Sequence, residues 1–177
     1  TGEGGMITTD SADVARKARM IRSHGQSERY IHQELGFNYR LTDFAAALGI
    51  RQLAKLDELN KKRSANAGFL ADNIASIAGL TVPVVRPDRK HVFHQFTVRV
   101  SGGFGMSRDD LAANLKQKGV MTGIHYPIPI HKQPLYRDLG YDVHLPVSER
   151  AATEVLSLPV HPGLDGEDLS YIVESLK

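Results

Sequence analysis

From Thr42 to Ile77 the sequence contains no proline, and that unbroken run predicts one long helix. A helix of that length exceeds what a globular domain ordinarily uses and suits a strut joining two domains. Thr42 is the expected N-cap, since its hydroxyl can accept an orphan amide of the first turn. Asp43 follows where the positive end of the helix dipole favours a carboxylate. Ala45, Ala46, Ala47 and Gly49 are set among Phe44, Leu48 and Ile50. A glycine inside a helix costs roughly 1 kcal/mol against alanine, and close approach of another backbone is the expected compensation. Beyond Leu53 the pattern turns amphipathic, with Leu56, Leu59, Phe69, Leu70 and Ile74 alternating with Lys55, Asp57, Lys61, Lys62 and Arg63. Gly68 is a point where the helix could bend. Feeding the helix is a polar turn that carries an amide (Asn38), a phenol (Tyr39) and a guanidinium (Arg40).

The other elements follow from local signals. Residues 1–9 (TGEGGMITT) read as a tight turn entering a strand; a glycine loop that cradles phosphate needs a helix opening directly after it. Asp10 or Ser11 caps a helix through Arg22, with Val14, Ala18 and Ile21 on one face and Gly25 as its stop. His24 lies at that C-terminus, where a histidine caps or complements the dipole. Residues 26–35 are polar, include Tyr30, and read as a mobile loop. Residues 91–100 read as a strand with Val92, His94, Phe96, Val98 and Val100 on one face, which makes His94 a hydrogen-bonded core histidine. His91 and His94 then point to opposite sides, which argues against a shared metal.

Ser107 and Asp110 form a capping box for a short helix that ends at Gly119. Residues 120–126 read as a second strand. Pro127, Pro129 and Pro134 brace a loop that holds Tyr126, His131 and Tyr136 at low entropic cost. Pro146 opens a helix over 147–155, residues 156–160 (LSLPV) are extended, and Asp165 caps a last helix over 166–176. This order implies a small α/β domain over 55–177, a short sheet with helices against one face. Residues 1–54 lack the apolar material for a core of their own and read as the last elements of another domain.

Several classes of function are excluded. A net charge of +2 with 24% charged residues gives no reason to invoke nucleic acid or acidic membranes. The basic cluster at 61–63 reads as a solvated helix face. The absence of cysteine rules out disulfides, a thiol nucleophile and a thiolate zinc site in these residues, and fits a cytoplasmic protein. No apolar run is long enough to span a bilayer, and no signal peptide is visible. The sequence does not begin with Met, so processing, cutting or an incomplete chain is expected. There is no G-x-S-x-G, H-E-x-x-H, dinucleotide fingerprint or Walker loop. What remains is a phosphate-friendly turn (Asn38, Arg40) and the Pro-braced Tyr/His loop. Those could hold a phosphorylated or sugar-like ligand without naming a reaction.

Residues 36–53, with TGEGG at 1–5, RSHG at 22–25 and HYPIPIH at 125–131, resemble the DegT/DnrJ/StrS family of pyridoxal-phosphate sugar aminotransferases. The likeness runs through nearly all of the chain and covers about the C-terminal half of a family member. It implies the C-terminal part of an aspartate-aminotransferase-like fold: residues 1–54 as the tail of the large coenzyme-binding domain, a long inter-domain helix, and residues 55–177 as the small α/β domain. It also implies transfer of an amino group from an amino acid, commonly glutamate, to a nucleotide-linked keto sugar, in cell-surface polysaccharide or amino-sugar biosynthesis.

Family members hold pyridoxal phosphate as a Schiff base on a lysine a few residues before the TGEGG sequence, hence upstream of Thr1. No lysine present here matches it, so no catalytic residue is expected in this chain and the 177 residues are expected not to transaminate alone. By position, Asn38 resembles the residue that reaches across a homodimer to the coenzyme phosphate of the neighbouring subunit. Tyr126 and His131 resemble loop residues of the sugar-nucleotide pocket. Arg40 is expected to brace the turn, and His24, Gly4 and Gly5 to shape the site. Three rival readings stay open: a pyridoxamine-phosphate sugar dehydratase with histidine in place of the lysine, a non-catalytic regulator that keeps the fold, and a free-standing interaction domain.

Overall fold

Helix α1 (Ala12–Arg22) opens where the Ser11 hydroxyl accepts the Val14 amide at 3.4 Å. It closes where His24 and Gly25 both adopt left-handed backbone, at φ of 62° and 70°, and the Gly25 amide returns to the Met20 carbonyl at 2.8 Å. The computed structural model describes residues 2–177. The chain divides into two compact units, Thr1–Leu56 and Asp57–Lys177.

In the first unit the loop expected at 26–35 is instead a small antiparallel hairpin of β1 (Gln26–Glu28) and β2 (Ile31–His32). Side chains fix it where apolar packing does not. His32 bonds the His24 carbonyl through Nδ1 at 2.8 Å, and Gln26 Nε2 lies 3.4 Å from its Nε2. Residues 2–9 form no strand, and Met6 and Ile7 are exposed. A β-prone run gains nothing from extension without a neighbour to complete its ladder.

Helix α2 (Asp43–Leu53) is capped by Thr42, whose Oγ1 accepts the Ala45 amide at 3.3 Å. The single helix expected to reach Ile77 is in fact two. α2 stops at Leu53 and α3 (Leu56–Ile74) begins after a turn in which the Lys55 amide bonds the Gln52 carbonyl at 3.0 Å. That contraction from i→i+4 to i→i+3 bonding breaks the ladder with neither proline nor glycine. Within this chain no residue of α2 is buried, so the described residues do not themselves supply the close backbone approach expected there.

The second unit holds the main core. Its sheet has the order β3 (Leu80–Thr81), β4 (Phe96–Val100), β5 (Val155–Leu158), all antiparallel. Period-two alternation sends Phe96, Val98 and Val100 inward. Pairing of Phe96 with Leu158 and Val98 with Leu156 places the apolar residues of both strands on one face. Against them pack Leu70 and Ile74 of α3, Leu111 and Leu115 of α4 (Arg108–Gln117), and Ile172 and Val173 of α7 (Gly166–Ser175). The opposite face is polar: Thr97 and Ser157 share a hydrogen bond of 2.8 Å, and Arg99 pairs with Glu154. Two short helices, α5 (Pro134–Asp138) and α6 (Pro146–Glu154), lie between α4 and β5 in the chain.

Two strand expectations are corrected. Residues 91–95 are irregular, because Phe93 takes φ of 45° and interrupts the pleat; His94 is exposed and is not a core residue. Residues 120–126 are reduced to a single bridge, Gly123 to Ser157. Pro127 and Pro129, lacking amide hydrogens, cannot prolong it.

Arg108, only 7% exposed, holds α4 to the end of α6. Its Nη1 donates to the carbonyls of Ala152 at 3.1 Å and Val155 at 2.9 Å. Carbonyls in the last turn of a helix have no partner within it. Arg108→Leu should therefore destabilise Asp57–Lys177 by about 2–3 kcal/mol, since charged hydrogen bonds carry about 1.5–3 kcal/mol each and the Ala152 acceptor stays buried, the Val155 acceptor partly so. Urea unfolding checks this; an unchanged midpoint refutes the assignment.

Candidate functional site

The turn that carries Asn38 is built on backbone contact. A Cβ added to Gly36 would collide with the Gly25 backbone nitrogen, and one on Gly25 with the Glu34 carbonyl. Only glycine fits at either position. The amide of Phe37 bonds the Ile21 carbonyl at 2.8 Å and that of Tyr39 the Arg22 carbonyl at 2.9 Å, so the end of α1 grips the turn. Phe37 and Tyr39 stack with centroids 4.9 Å apart, and Gly4 packs beside Leu41. Arg40 braces the turn as expected: its Nε donates to Asn38 Oδ1 at 2.9 Å. A guanidinium has donors only, so this bond fixes the amide orientation. The acceptor end of Asn38 is thereby occupied, and the end left to solvent is the donor, Nδ2.

In the second unit the Pro-braced loop forms a cavity of about 610 Å³. Tyr126 and His131 both line it, as do His125, Tyr136 and Tyr141. Tyr126 is 73% exposed, whereas the His131 side chain is 9% exposed. Tyr136 and Tyr141 meet edge to face with centroids 5.8 Å apart. Aromatic walls with a few convergent polar groups suit an organic ligand with a flat or ring-shaped part.

Glu149 holds this loop in shape. Its Oε1 lies 3.0 Å from His131 Nε2 and accepts the Leu145 amide at 3.0 Å; Oε2 lies 2.9 Å from His144 Nδ1, and Lys132 Nζ is 3.5 Å away. Leu145 is the N-cap of α6 and has no side-chain oxygen to accept a first-turn amide; Glu149 instead reaches back to the N-cap amide itself, as the carboxylate of a capping box does. The His131 hydrogen bond, the Leu145 amide and the positive neighbours His144 and Lys132 together lower the Glu149 carboxyl from 4.5 to about 2. With Nε2 engaged, the neutral His131 ring has only Nδ1 left to accept from a ligand.

Sequence reasoning gave no role to His125, Tyr141 or Glu149. The one available signal for Glu149 was a carboxylate in the first turn of a proline-opened helix. Among the described residues no cluster of three or more His, Cys, Asp and Glu could hold a metal, and no helix is long and apolar enough to cross a membrane.

The family model of the DegT/DnrJ/EryC1/StrS aminotransferases matches residues 1–177. The chain belongs to that family. A pleiotropic regulatory protein of Geobacillus stearothermophilus is 39% identical over 99% of the chain and 46% of its own length. The dTDP-3-amino-3,4,6-trideoxy-alpha-D-glucose transaminase of Streptomyces venezuelae is 35% identical over 99% of the chain and 45% of its own length.

Among solved structures, S. venezuelae DesV in complex with a ketimine intermediate superposes with a TM-score of 0.84 at 34% identity, over 95% of this chain and 44% of that one. NtdA from Bacillus subtilis, with bound PMP, gives 0.84 at 28% identity, over 95% and 40%. The fold is therefore that of the pyridoxal-phosphate aminotransferases of this family, and family members depend on that coenzyme. The chain spans somewhat less than half the length of the relatives it matches.

The lowered Glu149 carboxyl sets a pH window. A native value of about 2 against an ordinary 4.5 means that the unfolded state takes up the proton first as pH falls. The stabilisation is complete above pH 4.5 and is lost as pH drops towards 2. Urea melts of the wild type and Glu149→Gln should differ most at neutral pH and converge at the acid end. A difference that stays constant across that range counts against this role.

Proposed function

We propose that this chain is the C-terminal half of a cytoplasmic, pyridoxal-phosphate-dependent aminotransferase that moves an amino group from an amino acid, glutamate foremost, to a nucleotide-linked keto sugar. The observation that carries the reading is the match of the family model to every residue of the chain. Relatives of similar identity are named as transaminases of dTDP- and UDP-linked sugars.

The residues present fit the coenzyme. Phosphate oxygens accept hydrogen bonds, and Asn38 has its donor end unoccupied because Arg40 holds the other. In this reading residues 1–54 complete the large domain of a homodimer, and Asn38 Nδ2 donates to the coenzyme phosphate of the neighbouring subunit. The coenzyme, when bound, would supply the electron sink that stabilises negative charge at the reacting carbon. Residues 55–177 supply a wall for the sugar nucleotide. Tyr126, well exposed at the cavity, offers a ring face and a hydroxyl to the ligand. His131, held by Glu149, presents Nδ1 to a hydroxyl or a water. Neither residue is assigned a proton transfer to the reacting carbon. That step needs an amine which the lysines of this sequence do not match in position, so the 177 residues bind and orient without turning over.

A second reading has one observation in its favour: the relative with 39% identity is named as a regulatory protein. A longer protein that shows no visible coenzyme absorbance would favour it.

Two measurements test the first reading. In the full-length protein, Asn38→Ala should weaken coenzyme retention about tenfold or more, the worth of one charge-assisted hydrogen bond, with the circular dichroism spectrum unchanged. Equal affinity removes the assignment. Purified residues 1–177, given pyridoxal phosphate, glutamate and a keto sugar nucleotide, should release no 2-oxoglutarate; steady release would overturn the division of labour.

A further inference from the structure

A smaller cavity of about 230 Å³ in the second unit has no part in the reading above. It is lined by Arg63, His94, His125, Ser157, Val160 and His161 among others, and no carboxylate lies in its wall. Arg63 Nε is buried and has no hydrogen-bond partner among the described residues. A guanidinium stays charged and carries donors only. A buried donor left without an acceptor is destabilising, and more so where the group is charged. Native proteins leave few such groups, and a bound ion is one of the ways such a donor is satisfied.

The surroundings are built rather than loose. Asn66 is three residues beyond Arg63 on α3, hence on the same helix face. Its Nδ2 donates to the His161 carbonyl at 2.9 Å, which fixes that face of the helix to the chain leaving β5. On the other side, Ser157 is buried, bonded to Thr97 at 2.8 Å and to His125 Nδ1 at 3.2 Å. That leaves His125 Nε2 uncommitted. Arg63, three imidazoles and a hydroxyl thus converge on one space with a fixed positive charge and no negative one. The cavity would hold roughly eight waters at about 30 Å³ each. That suits a compact oxyanion with part of its hydration shell and is too small for a nucleotide.

We propose that this cavity is an oxyanion-binding pocket, taking a carboxylate or a phosphoryl group on Arg63, with His94, His125 and His161 as further donors. Planar oxyanions and phosphates match the guanidinium fork. The proposal stands apart from the coenzyme reading, since it uses neither Asn38 nor Tyr126 nor His131; His125 lines both cavities.

The test uses the purified 177-residue chain, free of coenzyme, so that its outcome does not depend on the transaminase assignment. Sodium phosphate, sodium acetate and, as control, sodium chloride are titrated at constant ionic strength while the Arg63 Nε–H and the His94 and His161 ring signals are followed by NMR. A saturable shift at Arg63 with phosphate or acetate, and none with chloride, is expected. The tighter of the two identifies the anion as phosphoryl or carboxylate. Arg63→Lys should weaken that anion about tenfold or more, because a point charge cannot reproduce the fork. Should Arg63→Lys not fold, the exposed pair His94→Ala and His161→Ala carries the test, with a several-fold loss expected. No saturable shift with either anion, or an affinity left unchanged by these variants, overturns the proposal.

Discussion

The structure of the second unit depends on the register between β4 and β5. Phe96 opposite Leu158 and Val98 opposite Leu156 put four apolar side chains on one face, where three helices close over them. A slip of one residue would turn those side chains outward and bring Thr97, Ser157 and Arg99 into the core. The same register decides what lies near each cavity. Val155 lines the larger one, and Ser157 and Leu158 line the smaller. His125 belongs to both, and the chain reaches it from the bridge between Gly123 and Ser157. The core and the two cavities are therefore consequences of one pairing.

Around the larger cavity, one carboxylate replaces what would otherwise be a hydrophobic loop anchor. Most of residues 135–147 are exposed, including Leu135, Leu139, Tyr141 and Leu145, so burial contributes little to their order. Glu149 compensates with short polar contacts to His131, His144 and the Leu145 amide. Prolines at 127, 129 and 134 limit the backbone beforehand, so fewer contacts suffice.

Features set by neighbours in the chain were legible in the sequence. Ser11, Thr42, Ser107 and Asp165 cap the helices assigned to them, because a hydroxyl or carboxylate acts on an amide two or three residues away. Pro146 opens α6 for the same local reason. The alternation of β4 was readable from Phe96 onward. What escaped was decided by geometry with no residue signature. The break after Leu53 is a tightened turn in residues that all favour helix. The end of the strand pattern before Phe96 is the backbone angle of Phe93. The hairpin at 26–32 is held by His32 reaching back to the His24 carbonyl, which polarity alone reads as loop. At the larger cavity, the proline brace and Tyr126 and His131 were visible; Glu149 was not, since its partners converge only in three dimensions.

The crossing of Gly25 over Gly36 carries its own consequence. Two stretches of main chain touch there with no room for even a methyl group, so the position of the Asn38 turn is registered by the absence of side chains. Tolerance to mutation in this unit should accordingly run against intuition. The large aromatic rings of the turn stand in solvent and have latitude to change, while two glycines behave like the keystone of an arch.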